Sequence, residues 1–125
     1  MTITRQGLDD LEAIINDSLE TECIEMTFSG HFSFDRVNDP RNNPAITLKE
    51  LEDIFIKFKG AHAKTVSGYS TSDTFVLKCN KTKINLPCGV ELTRKHGKPW
   101  MKITVMTVMR KDPFFTNDKY ELFVN

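Results

Sequence analysis

The sequence predicts an α+β fold in one domain over residues 1–125, with two N-terminal helices packed on a curved four-stranded antiparallel sheet. Three observations predict it. Apolar residues recur at helical spacing in the first half, the pattern switches to alternation after about residue 73, and Gly, Pro and Asn cluster between the periodic segments. A chain of 125 residues suits one hydrophobic core. The 39% hydrophobic and 27% charged residues exclude a disordered or fibrous chain.

Leu8, Leu11, Ile14, Ile15 and Leu19 step by threes and fours, which predicts an amphipathic helix over about residues 7–20. Its acids fall mostly in the first turns, favoured by the helix dipole. Ile24, Met26 and Phe28 alternate as in a short strand, and Ser29-Gly30 breaks it. His31 to Val37 suits a short helix or turn, and Asp39-Pro40 with Asn42-Asn43-Pro44 marks a loop containing Arg41. Thr47 followed by Glu50 is a capping box, so Leu48, Leu51, Ile54, Phe55 and Phe58 predict a second helix over about 47–59, stopped by Gly60.

His62 to Ser72 reads as a polar connection. Beyond it, Thr74–Cys79, Ile84–Arg94, Trp100–Met109 and Tyr120–Val124 are rich in β-branched and aromatic residues and read as strands. Asn80-Lys81 and Lys95-His96-Gly97-Lys98 suit tight turns. Pro87 has no N–H to give a ladder, which confines it to an edge or a bulge. Phe32, Phe34, Phe55, Phe58, Phe75 and Trp100 read as core; Phe114 and Phe115, after Pro113, lie outside the strand pattern.

No apolar run approaches the roughly 20 residues that cross a bilayer, and no basic-then-apolar leader is seen, so a cytoplasmic protein without a membrane partner is expected. Cys23, Cys79 and Cys88 are odd in number and widely spaced, and they read as free, buried thiols. The net charge is zero but unevenly laid out. Seven acids and no base lie between Asp9 and Glu25, whereas nine bases and one acid, Glu91, lie between Lys78 and Lys111. Such asymmetry hides a basic face under a neutral total, or else marks solvated strand edges.

The chemistry concentrates at His31, Arg36 and Arg41, each five residues from the next. An imidazole and two guanidiniums suit a metal-free site that grips phosphate and moves a proton. A satisfied loop network, with Arg36 paired to Asp35 or Asp39, is the competing reading. His62 and His96 read as surface residues. The sequence lacks a Gly-rich phosphate loop, a His-Glu-x-x-His helix, a magnesium-type carboxylate cluster and a Gly-x-Ser-x-Gly elbow, which argues against kinases, metallohydrolases and serine hydrolases and calls for no cofactor.

His31, Arg36, Arg41, Ile46 and the Leu48–Phe58 helix, followed by alternating strands ending in Ile103-Thr104-Val105-Met106-Thr107-Val108-Met109-Arg110, resemble the superfamily of barnase, EndoU, colicins D and E5 and RelE-type toxins, including phage proteins. The resemblance covers roughly residues 29–58 and 73–111 and implies RNA cleavage in a sheet cleft without metal. Carried over, it implies His31, Arg36, Arg41 and Thr107 as catalytic residues. Charge and position add Lys81, Lys83, Arg94 and Arg110 as RNA contacts. The resulting expectation is a phage-encoded endoribonuclease or RNA-binding protein acting in the host cytoplasm. The alternative is a non-enzymatic phage protein that binds and inhibits a host protein through the acidic first helix.

Overall fold

A computed structural model describes residues 2–125. Thr4 caps the first helix, accepting from the Gly7 N–H at 3.0 Å, so α1 (Arg5–Leu19) begins two residues earlier than the pattern predicts. Asp9 and Asp10 therefore stand beyond the first turn, where the dipole argument no longer applies, and Asp9 instead pairs with Arg5 at 3.3 Å. Leu8, Leu11, Ile15 and Leu19 are buried, while Ile14 lies outside their stripe and is exposed. After one 3₁₀ turn the chain enters β1 (Ile24–Phe28).

His31–Arg36 forms a π-helical turn, closed by the Val37 N–H to the Phe32 carbonyl at 2.9 Å. Phe32 enters the core and stacks on Phe28 at 4.7 Å, but Phe34 turns outward beneath the Arg5 guanidinium and is not the core residue expected. In α2 (Leu48–Val66) the capping box is formed in both directions, Glu50 N–H to Thr47 Oγ1 at 3.1 Å and Thr47 N–H to Glu50 Oε1 at 3.0 Å. The helix runs through Gly60 to Val66. Burial of Ala63 and Val66 outweighs the roughly 1 kcal/mol helix penalty of a glycine.

The expected four antiparallel strands are instead, among the described residues, six strands of mixed direction. β2 (Thr74–Cys79), β3 (Ile84–Lys95) and β4 (Lys98–Val105) form the antiparallel centre, β5 (Met109–Arg110) continues the β4 side of β3, and β6 (Tyr120–Phe123) follows β2. The order is β1-β4-β3-β2-β6, and both edge strands pair in parallel. Only β3 runs against the rest, because only its two connections are tight turns. His96 and Gly97 take the two positive φ angles, 53° and 75°, of a two-residue hairpin.

The predicted strand Trp100–Met109 is broken in two. Met106, Thr107 and Val108 stand opposite only Leu86 and Pro87, one residue too many, which makes a bulge. Pro87 accepts from the Met106 N–H at 2.9 Å, so its donor-less nitrogen faces the break. The proline lies in an inner strand, where the bulge accommodates it.

Both helices cover one sheet face, over Ile24, Met26, Phe75, Leu77, Ile84, Leu86, Ile103 and Val105. Since β5 and β6 flank the β3–β2 pair on opposite sides, residues 111–119 cross the other face as a strap. Lys78 Nζ to the Phe114 carbonyl at 3.1 Å and Lys119 N–H to Thr74 Oγ1 at 3.0 Å hold it down. No helix among the described residues is long and apolar enough to cross a membrane.

Candidate functional site

The π-helical turn and the bulge are joined by one side chain. Ser29 Oγ donates to the Met106 carbonyl at 2.6 Å and accepts the Phe32 N–H at 3.0 Å. This clasp sets His31 and Arg36 beside Thr107. On an α-helix, residues five apart diverge by about 140°. The wider π turn brings them together, and Arg36 Nε donates to His31 Nε2 at 3.0 Å. That bond fixes the imidazole proton on Nδ1, which points to Asp35 Oδ2 at 3.3 Å.

Asp39 is the hub of the adjoining loop. Its carboxylate, 16% exposed, accepts Arg36 Nη1 at 3.1 Å, Arg41 Nη2 at 2.8 Å and the Arg41 backbone N–H at 2.9 Å. Both guanidiniums thus share one carboxylate, leaving donors on Arg36 Nη2 and Arg41 Nη1 without a partner among the described residues. Asn42 is buried, donates to the Arg36 carbonyl at 2.9 Å and accepts the Arg110 N–H at 2.8 Å.

His31, Arg36, Arg41 and Thr107 line one cavity of about 440 Å³ together with Asp39, Asn42, Arg110 and Lys111. Four cations face one carboxylate in it. The Thr107 hydroxyl is buried without a hydrogen-bond partner, a state that costs about 1–3 kcal/mol.

The residues expected to contact RNA separate. Arg110 lines the cavity but its side chain, 9% exposed, uses every donor: Nε to the Pro44 carbonyl, Nη1 to the Thr82 carbonyl and Glu50, and Nη2 to the Ala45 carbonyl and Glu50. It is a clasp between the loop, α2 and the β2–β3 turn, with nothing left for a ligand. Lys81 and Lys83 are exposed beside a neighbouring cavity of about 560 Å³. Arg94 lies ten residues along β3 from Ile84, roughly 30 Å at about 3.3 Å per residue. There it donates to the Gly97 carbonyl at 2.7 Å, away from the site.

No family model, no curated protein and no solved structure matches this chain.

Sequence reasoning missed Ser29, Asn42 and Lys111. The first two act through backbone groups of distant segments, which residue spacing does not encode, although Asn42-Asn43-Pro44 did mark the turn. Lys111 sat at the end of the basic run and signalled itself only by charge. Among the described residues no cluster of His, Cys, Asp and Glu is arranged to hold a metal ion. The arrangement can bind an anion through Arg36, Arg41 and Lys111 and can exchange a proton at His31, while the Thr107 hydroxyl is closed off from the cavity.

Proposed function

We propose that this cavity binds the phosphodiester backbone of RNA and that His31 is its proton-transfer group. The observation that carries the reading is the convergence of His31, Arg36, Arg41 and Thr107, drawn from two separate segments, on one cation-rich cavity. Arg36 and Arg41 meet the non-bridging oxygens through their spare donors. An arriving phosphate competes for Arg36 Nε and releases the lone pair on His31 Nε2. With Asp35 holding Nδ1–H, that lone pair removes the 2′-hydroxyl proton as the 2′-oxygen bonds to phosphorus, the P–O5′ bond breaks, and the leaving 5′-oxygen takes its proton from water. Asp39 is committed to two arginines and does not serve as the second acid, so cleavage is slow relative to binding. This is the metal-independent chemistry of the barnase/RelE-like proteins that the chain resembles, and it suits a phage-encoded protein acting on RNA.

Purified protein is incubated with total RNA in EDTA beside His31→Ala, and RNA binding is measured on both. EDTA-resistant cleavage lost in the variant supports a ribonuclease. Binding without cleavage supports an RNA-binding protein. A folded protein that neither cuts nor binds overturns the reading.

A second reading is favoured by α1. α1 carries exposed acids, and Ile14 and Ile56 are both exposed on the groove between α1 and α2, whose charged lining is Glu52 and Lys59, a surface for a host protein that this chain inhibits. Recovery of one stoichiometric partner, unaffected by nuclease, supports it.

A further inference from the structure

The His31 cavity does not end at its own walls. Lys111 lines three adjoining cavities: the one holding His31, the one beside Lys81 and Lys83, and a third of about 380 Å³ on the sheet face beneath the 111–119 strap. Lys83 bridges the second and third. A run of basic side chains therefore leads from Arg41 through Lys111 and Lys83 to Lys78. Lys78 and Lys83 each face one carboxylate, Glu121 at 3.0 Å and Asp112 at 3.4 Å, while Lys111 has no acidic partner among the described residues.

The strap also presents Phe115 to solvent. At 86% exposed it is the most exposed large apolar side chain described, and it borders the third cavity beside these lysines. The fold has no structural use for it there, since its neighbour Phe114 makes the contact with Lys78, the ammonium 5.9 Å from the ring centre. An aromatic ring in water beside a chain of lysines is the combination that binds single-stranded nucleic acid, the bases stacking and the phosphates following the cations.

Resting on the RNA reading of the His31 cavity, we infer that a single strand of RNA continues past Lys111 along Lys83 and stacks a base on Phe115. The occupant is single-stranded, because bases held in a duplex offer no free face to the ring.

Binding of a uridine dinucleotide and a uridine decamer is compared for wild type, Phe115→Ala and Arg41→Ala, with a decamer duplex as control. Phe115→Ala is expected to weaken the decamer about tenfold, within the range for one stacked base, and to leave the dinucleotide and the duplex unchanged. Arg41→Ala weakens both single-stranded probes. Phe115→Trp retains affinity, and its emission is quenched by the decamer. If Arg41→Ala weakens binding but Phe115→Ala leaves the decamer unchanged, the track is wrong and the His31 cavity stands. If wild type binds neither probe, both readings fall. Phe115 is exposed, so thermal unfolding of Phe115→Ala should match wild type and show that any loss is not misfolding.

Discussion

Three residues facing one cavity are there for different reasons. Arg110 has spent all five donors on the loop, α2 and the β2–β3 turn, so its removal leaves Glu50 and three backbone carbonyls short of partners. Arg110→Ala should destabilise the protein by about 2 kcal/mol or more, the scale of hydrogen bonds to charged groups. Arg41, with a side chain 73% exposed, should cost under about 1 kcal/mol when replaced by Ala, while RNA affinity falls about tenfold. Urea unfolding and RNA titration of both variants separate the two roles, and equal stability losses would contradict them. Thr107 is the third case. Removing its unpartnered hydroxyl in Thr107→Val relieves a desolvated group at constant shape, so stability should rise by about 1 kcal/mol while RNA binding is unchanged. A loss of stability in Thr107→Val would mean that the hydroxyl has a partner. The sequence offers both Arg41, in its loop, and Arg110, at the end of a strand run, as cations for a phosphate. Only tertiary contacts, 60 residues apart in sequence for Arg110 and Glu50, tell them apart.

Elements were legible where local chemistry and burial agree. Thr47 and Glu50 form the capping box that their spacing announces, and Thr47→Ala should cost about 1 kcal/mol, read as a lowered thermal midpoint. Glu50 also carries the Arg110 bonds, so Glu50→Gln should cost more than Thr47→Ala; the reverse order would place the clasp elsewhere. Legibility failed where a long-range partner overrides a local rule. Gly60 reads as a stop because glycine is a poor helix former, yet Ala63 and Val66 have core to fill and carry the helix on. Phe34 reads as core by type, but the π turn that buries Phe32 rotates it to solvent. β1 and β6 were visible as strands, but their parallel pairing depends on where the chain crosses the sheet, which no local pattern carries. Pro87 was informative in a different way. It signals an edge or a bulge, and the bulge that forms is what places Thr107.

At the scale of the whole molecule, both helices cover one sheet face and the strap crosses the other. The candidate site lies where the loop, the π turn and the bulge meet. The loop half of that site is held by the Arg110 side chain on the Pro44 and Ala45 carbonyls and by Asn42, and Glu50 fixes that side chain in place, which links site order to pH. Burial alone raises the Glu50 pKa, but the Arg110 hydrogen bond and the Thr47 N–H outweigh it and hold the carboxyl below its ordinary value. Asp73 is lowered too, first by the Ser70 N–H and then by Lys119. For both groups the unfolded chain binds protons more readily than the folded one. Their stabilisation is complete above about pH 4.3 and is lost as pH falls through the folded values. Stability measured by urea should therefore drop as pH falls below about 4.3, and Glu50→Gln, already lacking the ionised carboxylate, should show a shallower drop. An equal drop in the variant would remove Glu50 from the account. The Cys88 thiol stays protonated below the alkaline range. Burial pushes Cys88 far up, and its S–H donates to the Leu86 carbonyl, so Cys88 should resist a thiol reagent until the protein unfolds while the part-exposed Cys23 reacts first. Acid unfolding followed by Cys88 labelling then reports whether the core opens together with the Glu50–Arg110 clasp. The clasp lies at the sheet's rim rather than in its core, so hydrogen exchange in residues 40–46 should rise at a higher pH than that at which Cys88 becomes reactive. Simultaneous onset would mean that the loop and the core unfold as one unit.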